Sequence, residues 1–450
     1  MKIQFFGAAG TVTGSRYLLT HENTRILIDC GLFQGVKNIR SRNWKPFPIH
    51  PREIQAVVLT HAHLDHSGYL PRLMREGFHG HIWCTPASRQ LAEILLIDSG
   101  NLQEEDARHA NRHGYSKHEP AEPLYTAADA EKVLTQFRTA AYAHPFKIGP
   151  FTISFSPAGH ILGSSCVRVE CEGKSITFSG DVGRPHDPVM NPPAALKDTN
   201  WLVVESTYGD RLHEQDDVIE KLSQTISETV AKGGTVLIPA FAVGRSQTLM
   251  YLLTQMMALK RIPRVPIYLD SPMAINVTEV FKSNDNEHRL NHAECEAMSS
   301  NVIYTRTSEQ SQALSASEHS KIIIAGAGML NGGRILHHLI AFGNNTNNTL
   351  IITGYQAEGT RGQTLLTGAD TLRIYGQEVD IRCRVEQING LSAHADYSEL
   401  LDWLKPLTPP QQTFITHGEP VASDGLRQKL ERQLGWNVAI PEQGDEFELL

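Results

Sequence analysis

Apolar and polar positions alternate in short runs over roughly the first sixty residues: KIQFFG, SRYLLTH, TRILIDCG and, beyond a proline-rich connection, AVVLTHAH. A period of two over such lengths predicts strands, so the chain opens as a β-rich block. Between residues 87 and 143 the period lengthens. ASRQLAEILLIDSG and DAEKVLTQFRTAAYA carry apolar residues at helical spacing on either side of a polar, proline-containing segment. Strand patterns return in FTISFSPAGH, SCVRVECEG, KSITFSGD and WLVVEST.

From residue 208 onward strands and helices alternate. VIEKLSQTISETVAKGG sets Val218, Leu222, Ile226 and Val230 four apart and stops at Gly233, a helix C-terminal signal. TVLIPAF, VPIYLDSP, KIIIAGAG and TLIITGYQ are near-continuous apolar runs, with RSQTLMYLLTQMMAL as a helix after the first. That alternation predicts a parallel sheet covered on both faces. The tail returns to strand-plus-polar units, VEQINGLSAHAD and QTFITHGEP, followed by an amphipathic helix around GLRQKLERQLG. The chain therefore divides into residues 1–207 and 392–450, two parts of one α/β domain, and an inserted second domain over 208–391. Its 450 residues leave room for both cores.

Composition narrows the class. A hydrophobic fraction of 40% and a charged fraction of 20% fit a soluble globular chain. No apolar stretch approaches the ~20 residues that span a bilayer, and Gly7, Gly10 and Gly14 break the N-terminal run before a signal-peptide core forms. Six scattered cysteines without a C-x-x-C pair argue for reduced thiols and the cytoplasm. The formal net charge of -8 supplies no global attraction to nucleic acid, so a polyanionic substrate needs local cations or bound metal.

LTHAHLDHSGYLP, residues 59–71, crowds His61, His63, Asp65 and His66 into six positions. A single tetrahedral zinc cannot use all four and keep a water, so the motif points to two metals. Further donors stand where apolar strands meet glycine: His160 in SPAGHILGSS, Asp181 in FSGDVG and His417 in FITHGEP. His109 and His113 share i, i+4 spacing, but read as a solvated helical face.

In order, LIDCG, HAHLDH, AGHILGS and SGD resemble the motifs of the metallo-β-lactamase fold, and VVESTYG, LSAHAD and THGE resemble those of its β-CASP nucleases. PAFAVGRSQ, GAGMLNGGR and GYQAEGTRG are similar to the same branch, especially bacterial and archaeal relatives of the endonuclease subunit that cleaves pre-mRNA 3′ ends. The resemblance implies an αββα sandwich with an inserted β-CASP domain, a parallel sheet flanked by helices. It makes His61, His63 and His160 ligands of one Zn2+, Asp65, His66 and His417 ligands of another, and Asp181 the bridge, with Asp29 behind them and manganese as an alternative metal. Glu205 and His394 would face each other across the domain junction, His394 acting as general acid.

Such cations would make a water acidic and polarise the phosphate, Asp65 would orient that water, and cleavage would leave 5′-phosphate and 3′-hydroxyl ends. Arg245, Ser271, Arg334, Arg361 and Ser392 are the candidate substrate contacts. His417 favours RNA, since the DNA-repair members have valine at the matching position, and the short tail after THGE favours an endonuclease. The alternatives are a 5′-to-3′ exoribonuclease and a small-molecule hydrolase of the metallo-β-lactamase type. A homodimer or RNA-processing partners remain compatible with the sequence; a membrane partner does not.

Overall fold

The opening alternating runs become strands Lys2–Phe5, Tyr17–His21, Thr24–Ile28 and Ala56–Val58. With His81–Cys84, Phe137–Thr139 and the C-terminal strand Glu446–Glu448 they form a seven-stranded sheet. A second seven-stranded sheet contains, from one edge, Val438–Ala439, Gln412–Thr416, Trp201–Glu205, Lys174–Phe178, Ser165–Cys171, Phe151–Pro157 and Phe146–Ile148. The computed structural model describes residues 1–449 except 115–117, 214–216, 355 and 358, the last two lying in the GYQAEGTRG stretch.

Ile3, Phe5, Ile28 and Val58 of the first sheet and Phe151, Phe155, Phe178 and Phe414 of the second share one core. Strand period two supplies both inner faces. Leu202, Val204 and Ile415 turn to the outer side of the second sheet, where Leu400, Leu404 and Leu426 of helices Tyr397–Leu404 and Pro420–Lys429 cover them. On the other sheet, helix Pro86–His113 packs at strand Phe137–Thr139. The result is a helix–sheet–sheet–helix sandwich.

These elements belong to one compact unit, Met1–Leu212 with His394–Leu450, while His213–Ala393 forms a second. The second unit holds a six-stranded sheet in the order Val302–Tyr304, Ile267–Asp270, Ile322–Ala325, Val236–Pro239, Thr349–Thr353, Arg384–Ile388. Every pairing in it is parallel. Its central strands Val236–Pro239 and Ile322–Ala325 are fully buried and apolar because helices such as Ile335–Phe342 cover them from the face as well.

One sequence expectation changes. DAEKVLTQFRTAAYA is helical only over Ala127–Leu134; Phe137–Thr139 leaves the helix to pair with His81–Cys84 at the sheet edge. Tertiary pairing overrides a local helical period here. Helices His292–Ser300 and Ser308–Ala316 and the hairpin Thr371–Ile374/Gln377–Asp380 had no clear pattern, because short exposed elements bury too few side chains to imprint one. Among the described residues no helix is long and apolar enough to cross a membrane.

Candidate metal centre

Strands Thr24–Ile28 and Ala56–Val58 run parallel, as do Lys174–Phe178, Trp201–Glu205 and Gln412–Thr416. Phe151–Pro157 points the same way as Lys174–Phe178, two antiparallel steps away. The carboxyl ends of these strands therefore carry Asp29, His61, His160, Asp181, Glu205 and His417, all within the first unit. HAHLDH leaves its strand extended and then turns into the short helix Leu64–Ser67, which brings Asp65 and His66 round beside the extended His61 and His63.

The backbone is tightly held. A Cβ on Gly31 would sit 1.6 Å from the Asp65 carbonyl oxygen, so only glycine lets the LIDCG loop lie against the helix that carries Asp65 and His66. Asp29 and His417 adopt left-handed φ values of 56° and 51°. Each is pinned by its own N–H, Asp29 to the Val58 carbonyl at 2.9 Å and His417 to the Ala8 carbonyl at 2.8 Å. Non-glycine residues in that region store strain that a surrounding structure must hold.

The donor atoms of His61, His63, His160 and Asp181 lie within 4.8 Å of one another, and so do those of Asp65, His66 and His417. Asp181 spans the two groups. Its Oδ2 lies 3.5 Å from His61 Nε2 and 3.6 Å from His160 Nε2, and its Oδ1 lies 3.2 Å from His66 Nε2 and 3.6 Å from His417 Nδ1. His61 Nε2 and His63 Nδ1 are 3.2 Å apart, His160 Nε2 and His63 Nδ1 3.3 Å, and the Nε2 atoms of His66 and His417 3.2 Å. Nitrogen donors about 2.0–2.1 Å from a tetrahedral zinc stand about 3.3–3.4 Å from each other, so these edges match a shared cation. Asp181 Oδ1 is buried without a hydrogen bond, although two imidazole nitrogens surround it. A donor set that converges on common points and leaves a buried carboxylate oxygen without a hydrogen bond fits metal.

Second-layer bonds choose which ring nitrogen faces inward. Asp29 accepts from the Thr60 amide at 2.7 Å, the Thr60 hydroxyl at 2.8 Å and His66 Nδ1 at 2.8 Å. His66 thereby turns Nε2 to the cluster. His61 Nδ1 lies 3.1 Å from the same Thr60 hydroxyl, leaving its Nε2 inward too. Glu205 accepts from the Val182 amide at 2.6 Å, the Thr207 hydroxyl at 2.6 Å and His394 Nδ1 at 3.1 Å. His394 Nε2 then lies 4.0 Å from Asp181 Oδ2. Both Glu205 and His394 fall in the first unit.

Burial lowers the imidazoles of His61 and His63. At His66 burial also opposes the charge, but Asp181, Asp29 and Asp65 outweigh it and raise the group well above the usual histidine range. At Asp65 burial pushes upward and the neighbouring His66 and His417 bring the carboxyl down to about 2. Burial works against the His394 imidazolium, yet the Glu205 charge and hydrogen bond raise it to about 9.

Thr60 and Thr207 were not singled out from the sequence, though they adjoin HAHLDH and Glu205; a hydroxyl beside a motif gives no local sign that it will orient a carboxylate. The candidate substrate contacts all lie in the second unit. Arg245 donates to the Thr353 carbonyl at 2.6 Å, and Ser271 caps helix Pro272–Lys282. Arg334 binds Asp270 Oδ1 at 2.6 Å and the Thr305 and Arg306 carbonyls. Arg361 binds the Arg373 carbonyl at 2.9 Å, and Ser392 is buried. His109 and His113 sit side by side on helix Pro86–His113, ring centroids 4.4 Å apart and planes tilted by 43°.

Family models match along the chain: the metallo-β-lactamase superfamily over residues 9–225, a β-CASP domain over 246–365, and a Zn-dependent metallo-hydrolase RNA specificity domain over 378–441. The chain is 36% identical over 426 residues, 93% of each sequence, to Ribonuclease TTHA0252 of Thermus thermophilus. It is 28% identical to an RNase J-like protein of Methanocaldococcus jannaschii over 98% of both chains. It is 29% identical to transcription termination factor FttA of Methanosarcina mazei over 96% of this chain and 69% of that one. A crystal structure of a protein of unknown function from Enterococcus faecalis shares the fold, with a TM-score of 0.56, 16% identity and coverage of 100% of this chain and 99% of that one. Sandwich, inserted parallel sheet, histidine–aspartate cluster and relatives together make this chain a member of the metallo-β-lactamase superfamily, in its β-CASP branch.

Proposed function

We infer that the chain is a metal-dependent ribonuclease that hydrolyses RNA phosphodiester bonds endonucleolytically, leaving 5′-phosphate and 3′-hydroxyl ends. The observation that carries the reading is Asp181, whose two oxygens each face a separate group of histidines. His61, His63 and His160 would hold one divalent cation, Asp65, His66 and His417 a second, and Asp181 both; histidine-rich donors favour zinc. Such cations, when bound, polarise a phosphate and make an attacking water acidic. RNA as substrate is supported by the match to an RNA specificity domain and by the ribonuclease relatives. Six buried free cysteines accord with a cytoplasmic setting.

The roles of this chain's own groups follow from their bonds. Asp65, with Oδ2 3.3 Å from His417 Nε2, is the base that orients the water and takes its proton. As the water oxygen bonds to phosphorus, the bond to the 3′-oxygen breaks, and His394 Nε2 donates a proton to that oxygen. Glu205 keeps the His394 ring aimed by holding Nδ1. Asp29 and Thr60 keep His66 and His61 in the tautomers that present Nε2. Metal analysis coupled to cleavage of 5′- and 3′-labelled RNA tests this, with DNA and nitrocefin as controls. Internal fragments at the earliest times support the reading. Release of mononucleotides from the 5′ end would replace it with an exonuclease, and turnover of nitrocefin but not RNA with a small-molecule hydrolase.

A further inference from the structure

The chain carries 41 lysines and arginines against 49 acidic residues, yet residues 31–52 hold Lys37, Arg40, Arg42, Lys45 and Arg52 with no aspartate or glutamate. This excursion is rooted in the first unit beside the metal centre. The segment that leaves Asp29 is bonded from Gly31 to the Ser15 carbonyl at 3.0 Å and from Leu32 to the Leu64 carbonyl at 2.8 Å. Buried Asn43 closes the loop by accepting from the Phe33 amide at 2.9 Å and donating to the Phe33 carbonyl at 2.8 Å. Phe47 is buried against Tyr69, with ring centroids 6.0 Å apart. Both feet are fixed, and what projects between them is polar and cationic.

Lys37, Arg40 and Lys45 are exposed and Arg42 half-buried. Among the described residues no carboxylate forms an ion pair with any of the four. Trp44 stands among them with 54% of its surface exposed. An indole left in water costs hydrophobic free energy, and four like charges in nine positions repel. A partner that carries regularly spaced negative charge and flat apolar rings relieves both. Single-stranded RNA has that chemistry: phosphates for the cations, bases for the indole. A protein partner would need a broader apolar patch than Val36 and Trp44 offer, and an interfacial membrane helix needs more than the single turn Lys37–Arg40.

We propose that the excursion over residues 36–45 is a docking surface for single-stranded RNA, with Lys37, Arg40, Arg42 and Lys45 on the phosphates and a base stacked on Trp44. The inference rests on the ribonuclease reading for its choice of partner, but its test does not require cleavage. Fluorescence anisotropy of a fluorescein-labelled single-stranded RNA is recorded with the full chain in excess chelator over a salt series. Each phosphate contact adds about 0.7 to the slope of log affinity against log salt, so K37A/R40A/R42A/K45A flattens that slope by about 3. W44A weakens binding about 5- to 150-fold without changing the slope, and W44F recovers most of the loss. Unchanged affinity and slope in both variants, with unfolding midpoints matching wild type, overturn the proposal. So does a loss confined to anionic vesicles or an acidic peptide. If the wild type binds RNA through this patch but releases no fragments when reloaded with zinc, the ribonuclease reading falls and the docking surface stands.

Discussion

The metal centre and the Asp270 network use the same kinds of side chain to opposite ends. In the second unit Asp270 is fully buried, and both its oxygens are bonded: Ser311 donates at 2.5 Å, Arg334 at 2.6 Å and His338 at 2.7 Å. His338 Nδ1 is met in turn by Ser315 at 3.0 Å. That network is closed. In the first unit Asp181 is equally buried, but its Oδ1 has no hydrogen bond and the histidines around it present nitrogens to one another. Polar atoms that answer each other build structure, and a buried carboxylate oxygen left without a hydrogen bond among imidazoles marks a place for a ligand.

The sharpest break of this contrast is Asp181→Ala. It should release both cations together and drop RNA cleavage to background while the chain stays folded, as read by metal content, product gels and unfolding. A variant that keeps two cations would dissolve the distinction. His394→Ala comes next: full metal content with a loss of about two to four decades in single-turnover cleavage.

Asp270→Ala should do the reverse of Asp181→Ala, leaving metal content alone and lowering stability by about 3–5 kcal/mol, because Arg334 loses its buried partner. The Asp270 carboxyl also supplies a pH test. Burial raises it, but its hydrogen bonds to His338, Ser311 and Arg334 prevail and hold it below its ordinary value. Its stabilisation is therefore complete above pH about 4 and is lost as pH falls through the depressed folded value. Denaturation curves of the wild type and Asp270→Asn should converge only in acid. The smallest effect belongs to Thr60→Val, which removes the hydroxyl shared by Asp29 and His61 and should weaken metal binding about 10- to 100-fold in a competition titration.

Legibility in the sequence follows how local each feature is. His61, His63, Asp65 and His66 lie within six consecutive positions, so crowding alone marks them as donors. Thr60 and Thr207 are as near in sequence, but their importance lies in hydrogen bonds to Asp29 and Glu205, which no spacing encodes. The basic run with Trp44 is written in the composition of residues 37–45, but only its exposure gives it meaning. Arg334 and Arg361 looked like phosphate donors as cations near glycines, and the fold binds them to Asp270 and to backbone carbonyls.

What the chain determined by itself are the strand and helix periods, the parallel apolar runs of the second unit and the polar residues stationed at strand ends, since each depends on neighbours within a few positions. Only the tertiary structure decided that ends separated by hundreds of residues share one rim, with His66 and His417 meeting at 3.2 Å. The same holds for Asp181, whose neighbours His61, His66, His160 and His417 follow other strands. Burial and hydrogen-bond satisfaction are properties of the packed whole, and they separate a ligand site from a structural network that also pairs aspartate with histidine.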